Sequence, residues 1–174
     1  HYIFQDIYEW AGKIRIINIE KSEPALGGIS IEYSDCFDIE KDATYVLDKM
    51  NHYAWEKVSI EEVAEIFSKY LAELWKVHPY REGNTRTVIT FCSQFIESKG
   101  FYIDSDLFKD NAQYMRTALV AANALFSDLG DKRKPEYLEK IVLDALGRGQ
   151  KMKQRVSDVI KKAGFKATEG RIRK

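Results

Sequence analysis

The chain has 174 residues, of which 45% are hydrophobic and 31% charged, and its formal net charge at pH 7 is zero. These values are typical of one globular domain, and they exclude a disordered, collagen-like or fibrous protein. No apolar run reaches the roughly 20 residues that a membrane-spanning helix needs, and no signal-peptide pattern is present. We therefore expect no membrane partner.

The N-terminal third is predicted to contain a helix end and a β-hairpin. Apolar residues at helical spacing predict the end of a helix over residues 2–11, with Gly12 as the stop signal. Residues 14–19 and 29–33 are rich in β-branched residues, and a loop containing Pro and Gly joins them. This pattern predicts two short antiparallel strands. A two-stranded hairpin is marginal by itself, so it either leans on the helices or offers an edge for docking.

The rest of the chain is predicted to be helical, because apolar residues recur there at positions i, i+3, i+4 and i+7. The strongest prediction begins with a capping box, in which Ser59 is followed three residues later by Glu62. The predicted helices cover residues 39–51, 60–77, 85–99, 107–129 and 135–146. Gly100 and Gly147 are interpreted as stop signals after two of them.

The C-terminal segment carries a strong positive charge. Residues 151–174 contain nine Lys or Arg against two acidic residues, a net charge of +7, which leaves −7 for residues 1–150. We interpret residues 1–150 as the functional domain and residues 151–174 as a basic helix or tail, helical over residues 151–163. Such a tail is typical of a contact with nucleic acid or an acidic partner. We favour the alternative, a solvated basic end, and expect no nucleic-acid partner.

Two cysteines, Cys36 and Cys92, lie 56 positions apart, and neither has a second Cys or a His at metal-ligand spacing. This usage predicts reduced thiols and a cytoplasmic protein, with delivery into another cell left open. Because the chain begins with His1 rather than Met, we expect it to be a fragment whose natural N-terminus is missing.

The segment between the two strongest helices has the composition of a phosphate site. A short polar loop ends at Gly83-Asn84, where the next helix begins, so the free N–H groups of a helix N-terminus face the loop. Gly83 permits close approach of a ligand to the backbone, and Asn84 suits the helix cap. Arg86 lies in the first helical turn, where the helix dipole disfavours a cation unless an anion is bound nearby.

Two further residues of this loop can carry chemistry. Glu82 supplies a carboxylate, and Mg²⁺ is commonly held by one or two carboxylates together with phosphate oxygens. His78 can act as a base near neutral pH. Together these residues favour phosphoryl or nucleotidyl transfer. The alternative is an ordinary interhelical loop, in which His78 and Asn84 are caps and Glu82 is a solvated charge.

The string HPYREGNTR, residues 78–86, resembles the signature of the Fic family, His-x-Phe-x-(Asp/Glu)-Gly-Asn-(Gly/Lys)-Arg-x-x-Arg. The string FQDIYEWAGKIR, residues 4–15, is similar to the family's segment before its hairpin. The resemblance spans most of residues 1–146. It implies an all-α fold, a helical bundle with a small β-hairpin flap. It also implies transfer of AMP from ATP to a hydroxyl of a target protein, with Mg²⁺.

The resemblance also implies roles for individual residues. His78 would take the proton from a Ser, Thr or Tyr hydroxyl of the target, and Glu82 would hold Mg²⁺. Tyr80 stands where the family usually has Phe, which anchors the loop in the core. The phosphates would be cradled at the start of the following helix by Gly83, Asn84, Thr85 and Arg86.

Two further sites follow from the resemblance. The hairpin would bind an extended target segment by strand addition, with Lys21, Ile29 and Ile31 as its docking residues. A lone loop lysine such as Lys21 is more often only a solvated side chain, and we favour that alternative. Asn111 and Tyr114 would lie in the adenine pocket, the alternative for both being ordinary surface or core positions.

The sequence departs from the signature at two positions. Thr85 replaces Gly or Lys, and Ile89 replaces the last Arg, which in the family grips the terminal phosphate and pairs with an inhibitory glutamate. An isoleucine can do neither. Two alternatives therefore stay open: a Fic-like phosphotransferase with another donor, and a non-catalytic binding module of the same fold.

The family's inhibitory pattern, (Ser/Thr)-x-x-x-Glu-(Gly/Asn), has no credible match in this chain. Glu169-Gly170 has Phe165 at the position that needs Ser or Thr. An inhibitor is therefore expected in the missing N-terminal helix, on a separate partner protein, or not at all.

Overall fold

The computed structural model describes residues 6–163 as a helical bundle. The bundle is formed by six α-helices, which are α1 Ile39–His52, α2 Ile60–Val77, α3 Asn84–Ser98, α4 Ser105–Asp110, α5 Ala112–Ala122 and α6 Glu136–Lys162. A small antiparallel sheet pairs β1, Leu125–Phe126, with β2, Gly130–Asp131. The predicted all-α fold is confirmed, and its small two-stranded sheet lies between α5 and α6 rather than in the predicted hairpin.

Helix α2 is the centre of the bundle and contacts α1, α3, α5 and α6. Ser59 caps it as predicted, since its hydroxyl accepts a hydrogen bond from the Glu62 N–H at 3.2 Å. In its apolar stripe, Ile66 and Tyr70 are partly buried, and Val63, Phe67 and Trp75 are fully buried. Each such side chain contributes about 1.5–3 kcal/mol to stability, so α2 gives the motif at its C-terminal end a rigid base.

The predicted helices at α1, α2 and α3 are confirmed, but the helix predicted over residues 107–129 is wrong in extent. The chain leaves helical geometry at Asn111, which separates α4 from α5. Helix α5 then ends before Asn123, whose buried side-chain amide donates to the carbonyls of Ala72 and Leu119. The bond to Ala72 ties the chain to α2 at the point where it turns into β1, and the bond to Leu119 closes the end of α5.

The two helices predicted over residues 135–146 and 151–163 are one continuous helix, α6. The stop assigned to Gly147 is wrong, because α6 continues through this residue, and a Cβ atom there would meet open space. A Cβ atom at Gly149 would collide with the backbone carbonyl of Tyr102, so glycine lets α6 lie directly against that segment. Beyond residue 150 the described part of α6 is largely exposed, and residues 164–174 of the predicted tail lie outside the described residues.

The hairpin predicted over residues 14–33 is wrong, because no strand ladder forms in this segment. The chain reverses through a 3-10 turn at Pro24–Leu26, and the Lys21 N–H donates to the Ser30 hydroxyl instead of a backbone carbonyl. Ile31 and Glu23 are buried, so contacts with the helical body take the place of cross-strand pairing. We call residues 14–33 the flap segment.

The helix predicted over residues 2–11 is also not present where the structure can be described. Residues 6–13 form successive turns, with hydrogen bonds from the Ala11 N–H to the Tyr8 carbonyl and from the Lys13 N–H to the Trp10 carbonyl. Within residues 6–163, no helix is long and apolar enough to cross a bilayer.

Candidate active site

The loop between α2 and α3, residues 78–83, is held in a bent conformation by its own backbone. His78 ends α2 with a left-handed backbone, φ 48° and ψ 58°, and its N–H donates to the Trp75 carbonyl at 3.2 Å. Gly83 is also left-handed, at φ 82°, and it is the N-cap of α3, so the cap predicted at Asn84 is wrong by one residue. A left-handed non-glycine residue is uncommon and is often found at functional sites. We call residues 78–83 the motif loop.

Asn84 closes the motif loop with its side chain. Its Oδ1 accepts from the Tyr80 N–H at 2.8 Å, and its Nδ2 donates to the Tyr80 carbonyl at 2.6 Å. The amide is thus engaged on both sides by the loop, and Asn84 is 2% exposed. The contribution of this residue to a phosphate site is therefore its backbone N–H, while its side chain shapes the loop.

Arg15, which lies in the flap segment, fixes the motif loop. No role was predicted for this residue. Its guanidinium is 2% exposed and donates to the carbonyls of His78 at 2.9 Å and Ile17 at 2.8 Å, and also to the Ser34 carbonyl. Its backbone N–H donates to the Pro79 carbonyl at 2.9 Å. The guanidinium supplies several donors in a fixed plane, which suits it to hold three separate chain segments together.

The His78 ring is buried between aromatic rings. It is 1% exposed, its ring centroid lies 4.2 Å from that of Tyr33 and 5.4 Å from that of Trp75, and neither ring nitrogen has a hydrogen-bond partner. Burial, followed by the positive charge of Lys21, lowers the pKa of His78 to about 3. The imidazole is therefore neutral at physiological pH, so one of its two ring nitrogens carries a lone pair that can accept a proton.

The site residues predicted from the motif line one small polar cavity. Its volume is about 180 Å³, and its lining residues are Lys21, His78, Glu82, Gly83, Asn84, Thr85, Arg86 and Arg116. Three cationic side chains and the N-terminus of α3 meet a single carboxylate here. This excess of positive charge favours an anionic ligand such as a phosphate chain. Arg116 comes from α5 and was not predicted.

Glu82 and Thr85 already have partners in this cavity. The Glu82 carboxylate lies 3.5 Å from the Lys21 ammonium, and the Thr85 hydroxyl accepts from the Trp75 indole N–H at 2.9 Å. Among residues 6–163, no group of three or more His, Cys, Asp or Glu forms a metal site. A lone carboxylate among cations fits an Mg²⁺ ion that arrives with phosphate oxygens, but it does not fit a resident metal.

Asn111 and Tyr114 do not line this cavity. Both are exposed, and their side chains bond to the carbonyls of Leu107 and Tyr137 at 2.8 and 3.2 Å. Their proposed adenine contacts stay a prediction that would require a ligand extending beyond the cavity.

Of the three docking residues, Ile31 is 2% exposed and belongs to the core, whereas Ile29 is 45% exposed. The Ile31 side chain is thus unable to contact a target, because it is packed against the helices in the core. Ile89 is half-buried against the core and is also absent from the cavity lining.

The buried neutral state of His78 predicts acid sensitivity of folding. The ordinary pKa of 6.5 applies when the chain is unfolded, and the folded pKa is about 3. The contribution of neutral His78 to the free energy of unfolding is therefore fully present above pH 6.5. As the pH drops from 6.5 towards 3, this contribution falls by up to about 1.4 kcal/mol per pH unit. Urea unfolding between pH 7 and 4 measures this slope. We expect His78→Asn to reduce it and His52→Asn to leave it unchanged; equal slopes for wild type and His78→Asn would contradict the assignment.

In this helical bundle, a buried histidine, three cationic side chains and the N-terminus of α3 line one cavity that suits an anionic ligand. The sequence model of the Fic/DOC family matches residues 1–96, more than half of the chain. The chain belongs to the Fic/DOC family.

Two curated relatives support this assignment. The chain is 32% identical over 104 residues to the protein adenylyltransferase VbhT of Bartonella schoenbuchensis, covering 60% of this chain and 20% of VbhT. It is 33% identical over 109 residues to the probable protein adenylyltransferase y4lH of Sinorhizobium fredii, covering 59% of this chain and 51% of that protein. The chain thus spans about a fifth and about half of the length of these two relatives.

Solved structures show the same fold. The N-terminal Fic domain of Bep8 from Bartonella sp. 1-1C has a TM-score of 0.60 at 18% identity, covering 83% of this chain and 70% of that one. A Fic domain from Bartonella quintana with bound ADP has a TM-score of 0.59 at 19% identity, covering 79% and 64%. At these identities the likeness establishes the fold alone.

Proposed function

We propose that the protein transfers AMP from ATP to a Ser, Thr or Tyr hydroxyl of a target protein. The observation that carries this proposal is the cavity in which a neutral, unpartnered His78 meets the N-terminus of α3 and three cationic side chains. The names of the two curated relatives and the ADP bound to the Bartonella quintana domain support it. The two cysteines described are free thiols, as a cytoplasmic site of action requires.

The proposed reaction needs one proton acceptor and a site for the leaving group. A ring nitrogen of His78 takes the hydroxyl proton while the hydroxyl oxygen bonds to the α-phosphorus. The bond from that phosphorus to the bridging oxygen breaks, and pyrophosphate leaves with the electron pair. Arg86 and the N–H groups of α3 stabilise the charge that develops on the phosphates. A bound polyphosphate also offsets the positive charge of Lys21, which makes His78 more basic.

We propose that Glu82 holds the Mg²⁺ that accompanies ATP. When bound, this ion supplies further neutralisation of the phosphate charge. Glu82→Gln is expected to weaken ATP binding in Mg²⁺ at least about tenfold, because a neutral amide is a poor Mg²⁺ ligand, and to change metal-free binding little. Calorimetry with and without Mg²⁺ measures this difference. Glu56→Gln, a surface change in another loop, is the control; equal Mg²⁺ dependence of Glu82→Gln and wild type would leave Glu82 without a metal role.

We propose that the target binds along the flap segment. The stretches 18–20 and 30–35 line a groove of about 280 Å³, which suits an extended chain. Since the side chain of Ile31 is buried, target contacts in this groove would come from its backbone. Ile29 is exposed but does not line the groove, so it would contact the target outside it.

The experiment that tests the proposed function compares ATP labelled at the α- and γ-phosphates, incubated in parallel with protein acceptors. Label transferred from the α-position alone is the expected result. Transfer from the γ-position alone would instead indicate a kinase, the second candidate, which is favoured by one observation: Ile89 places no charge where the signature has its last Arg. Transfer from neither position would indicate a binding module.

A further inference from the structure

Arg116 reaches the active-site cavity from α5, an element outside the sequence signature. Its Nη2 atom lies 2.7 Å from the Oε1 atom of Glu23, and the two side chains are 35% and 2% exposed. The guanidinium is thus hydrogen-bonded to a buried carboxylate, and Arg116 still lines the cavity. Such a group is positioned before any ligand binds.

Glu23 is a rigid anchor for this guanidinium. Its backbone carbonyl accepts from the N–H groups of Leu26 and Gly28, and its carboxylate accepts from the Tyr33 hydroxyl at 3.2 Å. A buried carboxylate is costly unless it is paired, so the Arg116 contact is a structural requirement as well. A guanidinium has five N–H donors, and Glu23 is the only described side chain that accepts from this one. Donors therefore remain for an anion in the cavity.

The position of Arg116 is close enough to affect the chemistry. Its positive charge is one of the causes that lower the pKa of His78, after burial and Lys21. The signature position that would carry a second arginine is Ile89, which is half-buried against the core. The motif thus lacks one cation, and the cavity gains one from a different helix.

We propose that Arg116 binds the polyphosphate chain of the nucleotide, beyond its α-phosphate, and supplies from α5 the cation that Ile89 does not. This inference rests on the proposed function, because it requires a nucleotide in the same cavity. Glu23 is then a positioning residue, which aims the guanidinium at the phosphates. In this chain, two arginines from different helices, Arg86 and Arg116, divide the phosphate contacts.

The test is nucleotide binding by calorimetry, measured separately from label transfer. Arg116→Gln is expected to weaken ATP binding about ten- to hundredfold and AMP binding no more than about threefold, because charged hydrogen bonds to the outer phosphates are lost. Arg116→Lys should recover part of the ATP affinity. Arg148→Gln removes an arginine that is paired with Asp144 on the surface, and it is expected to leave both affinities unchanged.

Because Arg116→Gln alone leaves the Glu23 carboxylate buried without its partner, the double variant Glu23→Gln/Arg116→Gln is tested beside it. The neutral pair keeps a hydrogen bond, so the double variant should fold and still show the selective loss of ATP affinity. Equal losses for ATP and AMP, or none, in a folded double variant would overturn the inference. Wild-type protein that binds no ATP would overturn it too, whereas ATP binding without label transfer would count against the proposed function alone.

Discussion

Replacement of His78 by alanine is expected to lower the rate of AMP transfer by about 10²–10⁴-fold, the usual cost of losing a general base. The cavity has no other neutral base, since its remaining titratable side chains are Lys21, Arg86 and Arg116, with the carboxylate of Glu82. Nucleotide affinity should change little, because the phosphate contacts proposed above come from other residues. Single-turnover transfer of α-labelled AMP, with ATP binding measured in parallel, separates the two effects.

Two further variants control this experiment. His78→Asn keeps the left-handed backbone, which asparagine tolerates well, and it removes the base without opening as large a cavity. His52→Ala removes an exposed histidine at the end of α1, whose ring contacts only the Asp48 carbonyl among its described partners. We expect His78→Asn to be as inactive as His78→Ala and His52→Ala to be fully active. Near wild-type transfer by a folded His78→Asn would remove His78 from the mechanism.

The predictions that held depend on interactions between neighbours in the chain. The cap at Ser59, the buried stripe of α2 and the start of α3 next to Gly83 follow from residues within a few positions of one another. The same is true of the motif loop, because His78 and Glu82 face one cavity as a result of one short turn. The sequence therefore predicted which residues of the motif lie together around one cavity. That these residues bind a phosphate stays a prediction.

The predictions that failed depend on partners far along the chain. Residues 14–33 have the alternation of a hairpin, but Ile31 packs on the helices and Glu23 pairs with Arg116, 93 positions away. Gly147 resembles a helix stop, yet α6 continues through it, and Gly149, two residues later, packs against the backbone at Tyr102. Periodicity identifies the face that is buried, but it does not identify the element that covers it.

The same limit explains why two arginines were missed. Arg15 and Arg116 have no local pattern that distinguishes them from the 25 other Lys and Arg residues in a chain that has 27. Their roles arise from acceptors that only the folded chain brings near, such as the His78 carbonyl, 63 positions from Arg15. A buried arginine that bonds carbonyls is visible only in three dimensions.

Arg15→Met is expected to lower the free energy of unfolding by about 2–4 kcal/mol. Methionine fills much of the space, but it leaves the carbonyls of His78, Ile17 and Ser34 without the guanidinium that bonds them. The bond to His78 is buried and the other two are part-buried, and an unpaired buried group costs about 1–3 kcal/mol. Urea unfolding measures the difference. Lys13→Met, an exposed cation two residues earlier, is the control and should change stability by less than about 0.5 kcal/mol.

The same substitution tests how the flap segment supports catalysis. Arg15 joins the flap segment to the motif loop, so its loss should let the His78 backbone shift even where the protein remains folded. A displacement of about 1 Å at a catalytic group can cost about 10²-fold in rate, and we expect a loss of that order for Arg15→Met at a temperature well below its unfolding midpoint. Arg15→Lys keeps the charge but not the planar set of donors, so its transfer rate should fall between those of wild type and Arg15→Met. Wild-type stability together with wild-type transfer in Arg15→Met would show that the motif loop holds its conformation through Asn84 alone.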